Sequence, residues 1–164
     1  MSFDTAGRTM MGVTSRDMVA LVNSLPNPPV AFGANCGTGA SDLLRTVQGF
    51  ANEAPAQAIV AKGNAGIPKY VDGHICYNGT PKLMADYAVM ARDSGAKIIG
   101  GCCGTMPEHL RAMRTALETR TPAEKPSLED IVAKVGAFSS DSDGTGDTDA
   151  APQRTRRSRR RSVA

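Results

Sequence analysis

Short apolar runs alternate along this chain with longer segments whose apolar residues recur every three or four positions. No other feature constrains the fold as much. Strands that alternate with helices of this length run in one direction and form a parallel sheet covered by helices. The predicted strands are residues 30–33, 58–61 and 96–100, with residues 2–3 as the remnant of another. Thr14-Ser15-Arg16-Asp17 is a capping-box pattern, and Met18, Val19, Leu21, Val22 and Leu25 follow it at helical spacing until Pro26. Ser41 is the expected cap of a second helix bearing Leu43, Leu44, Val47 and Phe50. Thr80, with Pro81 behind it, opens a third helix that stops at Gly95. Thr105 and Glu108 form a second capping-box pattern ahead of Leu110, Met113 and Leu117, and a short helix is predicted over residues 127–135. Residues 62–79 are expected to be irregular. The resulting order, β-α-β-α-β-α-β-α, is an α/β fold. A closed (β/α)8 barrel runs to ~250 residues, so the pattern leaves an open parallel sheet or half of a barrel.

Composition changes at Ser139. From there to Ala164 the chain is Ser, Asp, Gly, Thr, Pro and Arg, with little to bury, which predicts a disordered tail over 139–164 behind a domain over 1–138. Within the tail an acidic block at 139–149 precedes a basic block at 154–161, a solvated end or a tether for RNA or an acidic surface. A nucleic-acid partner is not expected, because the net charge is only +3 and aromatics are 4%, with no Trp to stack on bases. No stretch approaches the ~18 apolar residues of a membrane helix, and the first residues do not form a signal peptide, so a cytoplasmic protein is expected.

The chemistry lies in the cysteines. Cys36, Cys102 and Cys103 each follow an apolar strand and a glycine-containing turn, at the C-terminal end of the predicted sheet, where parallel folds build their sites. Gly100, Gly101 and Gly104 give the backbone freedom for both adjacent thiols to reach one ion. Three thiolates suit Zn²⁺, and three protein ligands with an open fourth position characterise a catalytic zinc. Free cysteines also occur as small buried hydrophobes. Cys76 and His74 lie in the irregular stretch, and either is a rival fourth ligand, though a loop position argues against both. Gly37-Thr38-Gly39 ahead of a helix is either an anion cradle or a tight turn.

Gly33-Ala34-Asn35-Cys36 and Gly100-Gly101-Cys102-Cys103-Gly104-Thr105 resemble the paired zinc-binding motifs of the homocysteine S-methyltransferase family. That family includes betaine–homocysteine methyltransferases and the homocysteine-binding domain of cobalamin-dependent methionine synthase. The similarity covers residues 1–120 and continues less specifically to 138, and the whole is most similar to bacterial betaine–homocysteine methyltransferases. The resemblance implies a (β/α)8 TIM barrel, of which this chain would supply the C-terminal half, strands five to eight. The first four units, which hold the ends of homocysteine in the family, would then be missing. A missing N-terminal half or self-association would have to cover the exposed sheet. It further implies Zn²⁺ on Cys36, Cys102 and Cys103, with homocysteine in the open position as a thiolate attacking a methyl donor, betaine preferred. Asn64 would lie beside the zinc as a substrate-binding residue, and residues 62–79 would cover the substrate. Methylfolate, cobalamin and S-methylmethionine are alternative donors. A non-catalytic zinc-binding or redox fragment is the alternative of another class.

Overall fold

The computed structural model describes residues 1–144. Three of the predicted strands pair in parallel: β1 (Ala31–Cys36), β2 (Ala58–Gly63) and β5 (Ala96–Gly101), in the order β1-β2-β5. Alternation along them sets two faces. Phe32, Ala34, Ile59 and Ala61 point into the core, while Val60, Lys62 and Ile98 lie on the more open face. The covering helices are α2 (Ala40–Asn52), which packs on β1 and β2, and α3 (Pro81–Asp93), which packs on β5. Phe50 of α2 is fully buried between Phe3 and Phe32, with edge-to-face ring centroids 5.5 and 5.3 Å away. Burial of a ring of this size stabilises by roughly 1.5–3 kcal/mol. α1 (Ser15–Ser24) packs on α2, α4 (Pro107–Thr119) on α3, and α5 (Leu128–Val135) on both α2 and α3.

Several helix ends are as the sequence predicts. Thr14 and Asp17 form the capping box of α1, Thr80 caps α3 with Pro81 in its first turn, and Gly95 follows that helix at φ 105°. The short helix expected from Ser127 begins one residue later, with Ser127 and Asp130 as its capping box.

Other elements differ. Residues 2–3 do not form a strand. Met1 alone pairs with the edge of β1, donating to Gly33 O and accepting from Asn35 N–H, both at 3.0 Å, before Phe3 turns into the core. The parallel sheet therefore has three strands among the described residues, not four. Ser41 does not cap α2. The cap position is Gly39, and Ser41 Oγ donates instead to Gly136 O at 2.6 Å. The cap of α4 is Met106 rather than Thr105, which puts Pro107 in the first helical position, where a missing N–H costs nothing. His109 then takes the capping role, its Nδ1 accepting from Met106 N–H at 2.9 Å.

The stretch after β2 is not irregular. Pro68–Val71 (β3) and His74–Tyr77 (β4) form an antiparallel hairpin. Asp72 and Gly73 turn it, with φ of 48° and 84°, the left-handed pair that a two-residue hairpin turn requires. Helical spacing also overstates burial. Leu21, Leu25, Leu110, Leu128 and Val132 are exposed, whereas Val19, Val22, Met113, Ile131 and Val135 are buried.

Contacts continue beyond residue 138. Ser139 N–H donates to the Asp42 carboxylate, its hydroxyl donates to Thr38 Oγ1, and Arg45 donates to Ser140 O. The start of α2 thus already holds a carboxylate, that of Asp42, which also accepts from Thr38. The remainder of the predicted tail, including the basic block, lies outside the described residues.

Candidate metal centre

Parallel pairing brings the ends of the three strands level. Cys36, the last residue of β1, is in register with Gly63, and Gly63 with Gly101. Cys102 and Cys103 follow directly. Their placement depends on close backbone packing. A Cβ at Gly101 would lie 2.3 Å from Thr105 Oγ1, and one at Gly104 would lie 2.4 Å from Tyr77 Cβ. Gly104 also takes φ 72°, so glycine is required there twice over. Cys36 itself adopts φ 62°, a conformation that costs a non-glycine residue roughly 1–3 kcal/mol and collects at functional sites.

The three thiols converge. Cys36 Sγ lies 3.7 Å from Cys103 Sγ, Cys102 Sγ lies 4.0 Å from Cys103 Sγ, and all three are within 4.8 Å of one another. Tetrahedral Zn²⁺ with bonds of ~2.3 Å separates its sulfurs by about 3.8 Å. The donor set and the two shorter spacings therefore suit a tetrahedral metal such as Zn²⁺. Cys36 and Cys102 are half-buried and Cys103 is exposed, which leaves the cluster open to an incoming ligand. His74 and Cys76 stand on β4 as exposed residues outside this group.

Asn64 is buried immediately behind the cysteines, 1% exposed. Its Nδ2 donates to Gly37 O and its Oδ1 accepts from Cys103 N–H, each at 3.1 Å. Asn64, expected as a substrate-binding residue, lies beside the cysteines with both ends of its amide engaged by the protein.

Three neighbours do not emerge from the sequence reading. Tyr77, the last residue of β4, packs on Gly104, and a hydrogen bond to Cys103 raises its phenol above the ordinary range, with burial and the other thiols adding to the effect. Asn35 Nδ2 is 4.0 Å from Cys102 Sγ, oriented as a donor. Tyr87 of α3 is fully buried, with its hydroxyl accepting from Gly63 N–H at 2.9 Å, and burial pushes its phenol far up. The hairpin signal Asp72-Gly73 is the one sequence clue that could have placed Tyr77 here.

No helix among the described residues is long and apolar enough to cross a membrane. The homocysteine S-methyltransferase family matches this chain over residues 1–117, a span that contains both cysteine motifs and every residue of the cluster. Convergent thiols at the C-terminal end of a parallel sheet and this match lead to one assignment: the chain belongs to the homocysteine S-methyltransferase family.

Proposed function

We propose that Cys36, Cys102 and Cys103 hold Zn²⁺ and that the site serves methyl transfer to homocysteine, with betaine as donor and methionine as product. The observation that carries this reading is the sulfur spacing of 3.7 and 4.0 Å, close to that of a tetrahedral thiolate site. Zn²⁺ at this position supplies Lewis acidity that favours the thiolate form of an incoming thiol at neutral pH.

The protein's own contribution is placement. The exposed side of Cys103 leaves a direction of approach for homocysteine. Asn35 and Tyr77 offer donors to the cysteine sulfurs, which steadies negative charge on them. Overall, the sulfur of homocysteine gains a methyl group while the donor nitrogen keeps the electron pair of the broken N–C bond. Asn64 lies directly behind the cysteines, tied to the backbone of Cys103. The β3–β4 hairpin rises beside the cysteines through Tyr77 and fits a cover for the substrate.

We read β1, β2 and β5 as consecutive staves of a (β/α)8 barrel in the C-terminal half. The open face of the sheet supports this. It carries Ile98 at 49% exposure, and the outer edge of β5 has no strand partner among the described residues. A complementary half or a second copy would supply the missing wall, and the cytoplasm is the expected compartment.

The test has two parts. Metal analysis of the reduced chain should find about one Zn²⁺ per chain, the stoichiometry of a single three-thiolate site. Methyl transfer to homocysteine should then be assayed with betaine, S-methylmethionine and methylated folate or cobalamin, using the chain alone and with an N-terminal half of the family. Zinc binding with no transfer under any condition would favour a non-catalytic zinc-binding fragment. Absence of zinc binding would refute both readings.

A further inference from the structure

Cys36 and Cys103 stand at the ends of different strands, and Asn64 bridges the turns that follow those strands. It follows Gly63, the strand end that lies between Cys36 and Gly101 in register. From this central position its amide reaches both sides: Nδ2 to Gly37 O, next to the first cysteine, and Oδ1 to the N–H of Cys103 itself.

The peptide of Cys103 is held at both ends. Its N–H donates to Asn64 Oδ1, and its carbonyl accepts from Ala65 N–H at 2.9 Å. Cys36 adopts a left-handed conformation, and Gly37 O directly after it is the acceptor that Asn64 engages. At 1% exposure the amide has no competing water, so both hydrogen bonds are made at full strength and leaving either unmade is costly.

We propose that Asn64 is a positioning residue of the metal centre: its buried amide clamps the Cys36 and Cys103 loops at the separation that lets three sulfurs bind one ion. This rests on the reading of the three cysteines as metal ligands. It goes beyond that reading because it assigns Asn64 to the spacing of the ligands and not to contact with substrate. Without the amide, the Cys103 N–H and Gly37 O lose their partners, and the sulfurs drift from the spacing that zinc prefers. Loss of a residue that orients metal ligands typically lowers affinity ~10–100-fold.

The experiment uses the full chain, reduced and metal-free, as wild type, Asn64→Asp and Asn64→Ala. Asn64→Asp retains an acceptor for Cys103 N–H but has no donor for Gly37 O. Each protein is titrated with Zn²⁺ against a chromophoric chelator, and with Co²⁺, whose thiolate charge-transfer absorption reports how many sulfurs are bound. Circular dichroism follows the fold. The expected order of affinity is wild type, then Asp, then Ala, with about 10–100-fold separating the ends. At saturating Co²⁺, thiolate absorption per ion should fall in Asn64→Ala while the fold is retained. If Asn64→Ala does not fold, the Asn64→Asp affinity and Co²⁺ spectrum decide the matter alone. Metal affinity and spectrum equal to wild type in the folded variants would overturn the proposal. Loss of homocysteine binding alone, with metal binding intact, would overturn it in favour of a substrate contact. A wild-type chain that binds no metal would instead refute the metal-centre reading itself.

Discussion

The cysteines lie in two regions of this molecule, and among the described residues one of these regions gathers its thiols into a cluster. The ends of β1 and β5 bring Cys36, Cys102 and Cys103 within 4.8 Å of one another. The β3–β4 hairpin carries His74 and Cys76, equally competent ligands by chemistry, yet both are exposed and outside the cluster. Residue type does not separate the regions. Support does. The cysteine loops are anchored by parallel strands in register, by the buried amide of Asn64 and by the buried hydroxyl of Tyr87. The hairpin exposes both strands, and Tyr70, Val71 and Ile75 face outward. The grouping of thiols here is a product of topology and of the buried groups behind it.

The sharpest way to break this contrast is to remove ligands from each region. Cys36→Ser, Cys102→Ser or Cys103→Ser should each lower Zn²⁺ affinity by more than about a hundredfold, beyond the ~10–100-fold typical of residues that only orient ligands. Cys76→Ser should leave affinity unchanged in the same chelator competition. Equal losses from all four would show that the hairpin joins the site in solution.

The next largest effect tests the buried support. Tyr87→Phe leaves the Gly63 N–H without its acceptor in a fully buried setting. An unsatisfied buried donor costs about 1–3 kcal/mol. Urea unfolding should register that loss, and an unchanged midpoint would mean that the strand end finds another partner.

A smaller effect tests the hairpin. Gly73 has open space around it but takes φ 84°, so Gly73→Ala is opposed by conformation alone. The cost should be about 1 kcal/mol, confined to the turn. Hydrogen exchange should quicken at β3 and β4 with no change in metal affinity. A drop in affinity would show that the hairpin supports the cysteines more firmly than its exposure suggests.

The smallest effect concerns the one link between the regions. Tyr77→Phe keeps the ring packed on Gly104 and removes the hydroxyl from Cys103. Zinc affinity should fall only a few-fold, in line with about 0.5–1.5 kcal/mol for one partly exposed hydrogen bond. No change would place Tyr77 in a purely packing role.

The contrast also explains what was legible in the sequence. The three cysteines could be found because each follows a strand and a glycine turn, and both signals are local. The parallel sheet followed from apolar runs separated by helical spacing. The hairpin carries no such mark. With both faces exposed, its strands show no alternation, and Asp72-Gly73 is the only local signal. Tyr77 was invisible for the same reason, since its position over Cys103 depends on the chain returning through that turn. The sequence places the cap of α4 one residue early because Thr105 looks like a better cap than Met106, whereas Pro107 and the His109 imidazole decide the matter. The clamp by Asn64 was out of reach, because hydrogen bonds from a loop to two distant backbones leave no pattern in the chain.

The sulfurs of Cys36 and Cys103 lie 3.7 Å apart but are separated by 67 positions along the chain. An ion held between them would therefore be a cross-link as well as a cofactor. In the chain-entropy picture, tying two points that far apart removes about 4 kcal/mol of freedom from the unfolded polypeptide. For a sheet of three strands that is a sizeable share of the ~5–15 kcal/mol that holds a domain folded. Metal supply would then govern how long this polypeptide survives proteases as directly as it governs any chemistry at sulfur.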